Sequence, residues 1–248
     1  MGIYTLWLRD ITRFLKDKPR IVSSAAQPLL WLFVLGMGLS TAFVRGGGGS
    51  PQYLRFIYPG IISMSVLFTS IFSAVSIIWD REFGFLKEVL VAPIPRWSVA
   101  IGRALGGSTV AVLQGAIILL FAPIVHVSFS ALQLMSAFLV MFMIAFSMTS
   151  FGILIATRMQ THEGFQVITN FIILPMFFLS GAMFPTGRSL PAWMRALVHI
   201  NPLSYGVDAL RGTLVGMRGF SIWLDLLIVI GFGAIMLTIG AYYFERTE

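Results

Sequence analysis

Long uncharged runs alternate with short charged segments along this chain of 248 residues. No Asp, Glu, Lys or Arg occurs in Ile21–Val44, Phe56–Trp79, Ala104–Thr157 or Gly164–Gly187, and Gly219–Phe244 holds only Asp225. About 20 consecutive apolar residues in a helix cross the bilayer hydrocarbon. Ala104–Thr157 is long enough for two crossings, and Pro123–Ser130 marks a turn in its middle. The pattern predicts six transmembrane helices, at 21–43, 56–79, 99–124, 131–156, 165–183 and 220–243. The expected fold is an all-α integral membrane protein, a single transmembrane domain over 1–248. A soluble helical core fits poorly, because core helices need polar faces.

The segments between the runs carry their own patterns. In residues 3–16, Ile3, Tyr4, Trp7, Leu8, Ile11, Phe14 and Leu15 share one helical face, and Arg9, Asp10, Arg13 and Lys16 take the other. That suits an interfacial helix over 1–20 in the headgroup layer, with Tyr4 and Trp7 as anchors and Pro19 ending it. The alternative is a solvent-exposed helix packed on another subunit. Arg45-Gly-Gly-Gly-Gly-Ser-Pro51 has the composition of a flexible linker and argues against a functional loop there. Residues 184–218 are too broken by Pro185, Pro191 and Pro202 for a span, yet too apolar for a free loop. Two short re-entrant helices before the last span fit best, the first starting at Pro191 and the second running Leu203–Val215 after the Asn201-Pro202 break. Asp208 and Arg211, three apart on the second, are placed to pair.

Composition agrees with the pattern. Apolar residues make up 57% of the chain and charged ones 11%, against about 25% charged in a soluble domain. The net charge of +7 reflects membrane loops, so nucleic acid is not an expected partner. Lys and Arg gather in short cytoplasmic loops. Both termini inside puts Arg9, Arg13, Lys16, Lys18, Arg20, Arg81, Lys87, Arg96, Arg103, Arg158 and Arg246 on the cytoplasmic side. The absence of cysteine excludes disulfides. The first 20 residues lack a continuous apolar core, so the first span is expected to serve as its own insertion signal.

Polar residues are sparse within the spans. Gln166 and Asn170 are four apart on one face of the fifth. They either line a substrate path or hydrogen-bond between helices, since such groups need a partner in lipid. Gly102 and Gly106 have the spacing that lets helices approach closely, and packing within one subunit is the expected use.

The stretch Trp79–Arg96 holds Asp80, Arg81, Glu82, Lys87, Glu88 and Arg96 between two uncharged spans. Phe83, Leu86 and Leu90 fall on one helical face, while Glu82, Lys87 and Glu88 point elsewhere. Pro93 and Pro95 stop the helix. The loop over 80–97 therefore reads as a short cytoplasmic helix held at both ends by spans. A plain membrane-surface turn would need neither Phe83-Gly84-Phe85 nor charges of both signs; a docked helix uses apolar anchors with a charged rim.

Trp79–Arg96 resembles the cytoplasmic signature of type-2 ABC transporter permeases, the membrane subunits of drug-resistance and nodulation-factor exporters. Tyr58-Pro-Gly60, Asn201-Pro-Leu-Ser-Tyr205 and Ala209-Leu-Arg211 are similar to the same family, in order along nearly the whole chain. The resemblance implies six spans, a homodimer in membrane lipid, and two copies of a separate ATP-binding subunit that carries ATP and Mg. It implies a coupling helix at Asp80, Arg81, Glu82, Phe83, Gly84, Phe85, Leu86, Lys87 and Leu90. It implies an outer re-entrant motif at Asn201, Pro202, Tyr205, Asp208 and Arg211. Its substrate path, bordered by the first, second and fifth spans, falls on Thr69, Phe72, Gln166 and Asn170. It places the chain in the bacterial inner membrane and implies export of an amphipathic drug, lipid, glycolipid or polysaccharide.

Nothing in the sequence suits it to hydrolyse ATP. A P-loop needs a glycine-rich turn leading to Gly-Lys-Ser/Thr, and none of Lys16, Lys18 and Lys87 follows a glycine. His126, His162 and His199 form no metal motif, and Ser180-Gly181 lacks a nucleophile's setting. The rival reading is an ion-coupled secondary transporter or channel subunit. Such proteins use ionisable residues inside their spans, and only Asp225 and Arg103 are available.

Overall fold

The computed structural model describes residues 2–45, 50–82, 95–159, 161–185 and 191–246. Among them every regular element is a helix: α1 Gly2–Lys16, α2 Lys18–Arg45, α3 Ser50–Ser73, α4 Val75–Glu82, α5 Arg96–Leu119, α6 Ala131–Arg158, α7 His162–Ile168, α8 Leu174–Phe178, α9 Ala192–Ile200, α10 Pro202–Val215 and α11 Ile222–Arg246. A π-helical turn, Thr169–Ile173, joins α7 to α8.

Four helical stretches are long and apolar enough to cross a membrane: Gln52–Arg81, Trp97–Leu119, Ala131–Arg158 and Ile222–Tyr243. The first runs through α3 and α4, which part only at Ala74. These cover the expected second, third, fourth and sixth spans. A shorter apolar stretch, Ile21–Val34, lies in α2. The bundle is built on α3, α5 and α6, which pack on one another, with α11 laid along α6 and α2 along α3. Its core is aliphatic with a few large rings; Ile57, Tyr58, Ile61, Phe165 and Phe177 are all fully buried. Buried Tyr58 donates its hydroxyl hydrogen to the Ile118 carbonyl at 3.0 Å, so its polar tip is satisfied.

The break between the first two helices falls one step earlier than the proline suggests. α1 stops at Lys16, and Pro19 sits in the first turn of α2. A proline there gives up an N–H that has no helical partner anyway. The turn expected at 123–130 is present. His126 takes a left-handed backbone, and Ser130 and Gln133 form a capping box that starts α6.

The expected fifth span, 165–183, is not one α-helix. Pro175 lacks the N–H that would close the ladder, and the π turn just before it takes up the misfit. From His162 to Phe178 the segment rises roughly 25 Å, short of the ~30 Å hydrocarbon. It ends in an irregular stretch in which Gly181 has φ of 75°.

Broken helices in lipid leave backbone groups that protein must satisfy. Arg211 of α10 does this here. Its Nη2 donates to the carbonyls of Gly181 at 2.8 Å and Ala182 at 3.3 Å, and its Nε to Phe56 at 3.3 Å. The guanidinium lies 3.9 Å from the Phe56 ring centre. Asn201 Nδ2 donates to the Met176 carbonyl at 2.6 Å, while its Oδ1 caps α10 through Leu203 N–H at 3.0 Å. Asp208 accepts from the N–H groups of Gly219 and Phe220, just before α11. The expected Asp208–Arg211 pair therefore does not form. Chain breaks expose carbonyls on one side and N–H groups on the other, and each side chain serves the group of opposite polarity.

Gly60 marks where the irregular stretch meets α3. A Cβ built at residue 60 would overlap the Ala182 carbonyl. Gly231 in α11 meets nothing within 4 Å. Gly60→Ala is expected to destabilise the protein by about 1–3 kcal/mol through overpacking, whereas Gly231→Ala should stabilise it by about 0.5–1 kcal/mol through helix propensity. Thermal unfolding of both variants in detergent checks the pair.

Candidate functional site

The loop singled out in the sequence begins at the end of α4. Asp80 and Arg81 are described there. Of Glu82 only the backbone is, and Phe83, Gly84, Phe85, Leu86, Lys87 and Leu90 lie outside the described residues. Asp80 contacts the guanidinium of Arg103 and accepts from Arg9 at 3.4 Å. Arg103 also reaches Asp10 at 3.6 Å and donates to Ser76 Oγ at 2.8 Å. Arg9 stands 3.6 Å from Asp10. Two arginines and two aspartates thus close a neutral cluster that ties α1, α4 and α5 together. Arg81 faces the other way. Its Nη1 donates to the Met159 carbonyl at 2.8 Å and its Nη2 to Thr157 at 3.5 Å, covering carbonyls that the end of α6 leaves free.

Asp80 and Arg81, expected on the coupling surface, are therefore directed into the bundle itself. They anchor the root of the loop. A buried guanidinium is tolerable only when paired and hydrogen-bonded. Arg103 is 5% exposed, and no carboxylate on its own helix is close enough to serve.

This need reorients α1. Periodicity placed Arg9 and Asp10 on the helical face opposite the apolar one. That edge packs on α5, where a Cβ at residue 102 would lie 3.2 Å from the Ile3 carbonyl oxygen and one at residue 106 would lie 2.7 Å from Asp10 Oδ2. The Gly102 and Gly106 pair thus serves packing within the chain. Leu6 and Phe14 are buried, Trp7 Nε1 donates to Thr109 Oγ1 at 3.0 Å, and Tyr4, Leu8 and Leu15 are exposed. The apolar face remains available to lipid. Sequence reading missed the cluster, and the signal for it was the lone Arg103 between two glycines of an otherwise uncharged span.

Burial raises the Asp10 carboxyl above its ordinary value, while Arg103 and Arg9 oppose the rise. A raised folded value favours the neutral form. Its contribution to stability is complete below the unfolded value and is lost as pH climbs through the folded one.

The four residues assigned to a substrate path come together. Thr69, Phe72, Gln166 and Asn170 all line one cavity of about 450 Å³ between α2, α3 and the α7–α8 segment. Gln166 and Asn170 are exposed within it, and neither side chain has a hydrogen-bond partner among the described residues. No bond from either side chain to another helix is present among the described residues. At the far end of the bundle, Pro202 opens α10, and Tyr205 donates to the His199 carbonyl at 2.8 Å with its ring 4.9 Å from Phe220. Asp225 is fully buried, and neither carboxylate oxygen has a hydrogen-bond partner among the described residues. No group of three or more His, Cys, Asp or Glu is set to hold a metal among the described residues.

The profile of the ABC-2 type transporter family matches residues 1–215. The chain belongs to the ABC-2 type transporter family. It is 26% identical to the inner membrane transport permease YadH of Escherichia coli K12, over 98% of this chain and 92% of that protein. It is 32% identical to a protein named as the transport permease ycf38 of Cyanophora paradoxa, over 79% of this chain and 69% of that one. Over 63% of this chain it is 28% identical to a probable multidrug ABC transporter permease of E. coli K12, YbhR, of which 43% is covered. The ABC-2 permease is accordingly a multi-pass membrane subunit of an ABC transporter, a transport protein rather than an enzyme.

In this permease the members of the charge cluster differ in what their loss leaves behind. Arg103→Met leaves two carboxylates sharing Arg9 in place of two guanidiniums and should destabilise by on the order of 3 kcal/mol. Asp10→Asn removes a carboxylate already penalised by burial and should cost clearly less. Thermal unfolding at neutral pH checks the order. The gap between Asp10→Asn and the parent should widen as pH falls through the raised Asp10 value, because the parent gains stability by taking up a proton there and the variant does not.

Proposed function

We propose that this ABC-2 permease exports an amphipathic substrate, a drug, lipid, glycolipid or polysaccharide, across the bacterial inner membrane. Two copies form the membrane domain, six spans each, both termini cytoplasmic. Two copies of a separate subunit bind ATP with Mg and dock on the loops that follow Glu82. The orientation is supported by the cations gathered in residues 9–20 and 81–103. The homodimer is supported by exposed large apolar residues on α2 and on the 162–178 segment, among them Leu30, Val34, Phe171 and Ile172. An efflux role is supported by the name of YbhR.

One observation carries the coupling. The root of the loop is held by Asp80 to α1 and α5, and by Arg81 to α6. A push on residues 83–90 cannot be absorbed at that junction. It has to move α4 together with three other helices, and so open the cleft between the subunits.

Phe83→Ala and Glu82→Ala should leave insertion and dimerisation unchanged and lower ATP-driven transport at least about tenfold, while the partner still hydrolyses ATP. Co-purification of an ATP-binding subunit and transport into inverted vesicles read this out. Normal coupling in both variants overturns the assignment. Asp225 is the group an ion-coupled carrier would need, so Asp225→Asn should keep ATP-driven transport. It should also raise the unfolding temperature, because a buried carboxylate with no hydrogen-bond partner among the described residues is costly.

A further inference from the structure

Two cavities adjoin along the α1 side of the bundle. One, of about 380 Å³, lies between α1, the α3–α4 span, α5 and α7. The other is the cavity of about 450 Å³ already described. Phe14, Phe72 and Gln166 line both, so the two meet at these side chains as a compartment of two parts with chemically different ends.

The first end is polar and its charge has a definite sign. Asp10, Arg13 and His162 line it. Asp10 is engaged by Arg103 and Arg9, inside a cluster whose charges sum to zero. That leaves Arg13. Its guanidinium lies 5.8 Å from the centre of the Trp79 ring, and no carboxylate pairs with it among the described residues. The Trp79 and His162 rings are 6.1 Å apart. His162 lines the same end. A cation beside an imidazole suits an anionic head with several acceptor oxygens.

The second end is aromatic. Trp31, Phe68, Phe177 and Phe178 line it, relieved by Thr69 and Asn170. Its wall on α3 runs from Met64 to Phe72, roughly 12 Å of helix. The polar end lies at the level of amphipathic α1, and the aromatic end extends along the spans away from it. A lipid-like molecule entering from the leaflet beside α1 presents its parts in that order.

We infer that this compartment, formed within a single chain, binds a membrane amphiphile with an anionic head, the head on Arg13 and His162 and the tail along Phe68 and Trp31. The inference rests on the export reading and narrows its substrate class from amphiphiles in general to anionic ones.

The test uses the full-length permease in nanodiscs of zwitterionic lipid. The probes are single-chain amphiphiles with one brominated dodecyl tail and a phosphate, phosphocholine or trimethylammonium head. Quenching of tryptophan emission gives the affinity. The phosphate amphiphile should bind at least about tenfold more tightly than the trimethylammonium one. Arg13 is exposed, so Arg13→Gln leaves packing in place and should reduce that preference to within about twofold. Arg13→Lys should retain it, and Phe68→Ala should weaken all three probes alike. Inorganic phosphate at the same concentrations should not displace the probe. Equal affinity for all heads, preference for the cation, an unchanged preference in Arg13→Gln, or displacement by inorganic phosphate each overturns the inference. Binding requires no ATP-binding subunit. Head-selective binding without ATP-driven transport would overturn the export reading alone, and ATP-driven transport without head selectivity would overturn only this one.

Discussion

A guanidinium buried inside an apolar bundle governs the architecture of one end of this protein. Arg103 sits on a span with no other charge past its first residue, and an isolated charge there would be prohibitively costly. Its partners must come from other helices. Asp80 arrives from α4 and Asp10 from α1, and Arg9 restores neutrality. The glycines flanking Arg103 by one and three residues remove the side chains that would hold α1 away. Three elements distant in sequence become one unit because one charge requires it. The segment leading into residues 83–94 belongs to that unit.

The opposite end solves a related problem with backbone instead of charge. Pro175 and the π turn interrupt the fifth apolar segment, and the chain then runs irregularly through Gly181 and Ala182. Free carbonyls at that depth need donors, and Arg211, carried by α10, supplies several at once. Asp208 meets the complementary need of the N–H groups ahead of α11. The motif that runs from Asn201 to Arg211 thus has a structural reason for Asn201, Tyr205, Asp208 and Arg211. Asn201 caps one helix and reaches another, Pro202 starts the second helix, and Tyr205 closes the turn behind it. These residues are explained without any contact with a substrate.

The apolar runs made the long helices legible, because length and hydropathy are local properties. The short helices at Ala192–Ile200 and Pro202–Val215 were legible for a different reason: Pro191 and Asn201-Pro202 punctuate the chain at fixed positions. Periodicity misjudged α1. It separates apolar from polar faces, yet it cannot know that the polar edge will be claimed by a buried cation about ninety residues away. The Asp208–Arg211 pairing failed similarly. Helical spacing allowed it, but backbone groups exposed by breaks elsewhere competed and won. Gln166 and Asn170 were recognised as unusual from sequence, and their joint position on a cavity wall with Thr69 and Phe72 required the fold.

One helix connects the loop root with the compartment. α1 contributes Arg9 and Asp10 to the cluster that holds the loop root, and Arg13 and Phe14 to the compartment. Asp10 and Arg13 are three residues apart, less than one helical turn, so a rigid shift of α1 that moves one also moves the other. Suppose docking of a partner on the loop displaces α4. The Asp80 contacts then carry α1 with it, and the polar end of the compartment changes shape. Linkage makes that coupling reciprocal in binding free energy: whatever loop engagement does to the affinity of the compartment, an occupant of the compartment does to loop engagement by the same factor. A substrate held at Arg13 would then influence the motor through the charges on Asp10, Arg103 and Asp80, without touching the loop. Breaking the cluster should abolish this mutual influence even where each site still binds its own ligand, which separates a mechanical link from two sites that merely share a helix.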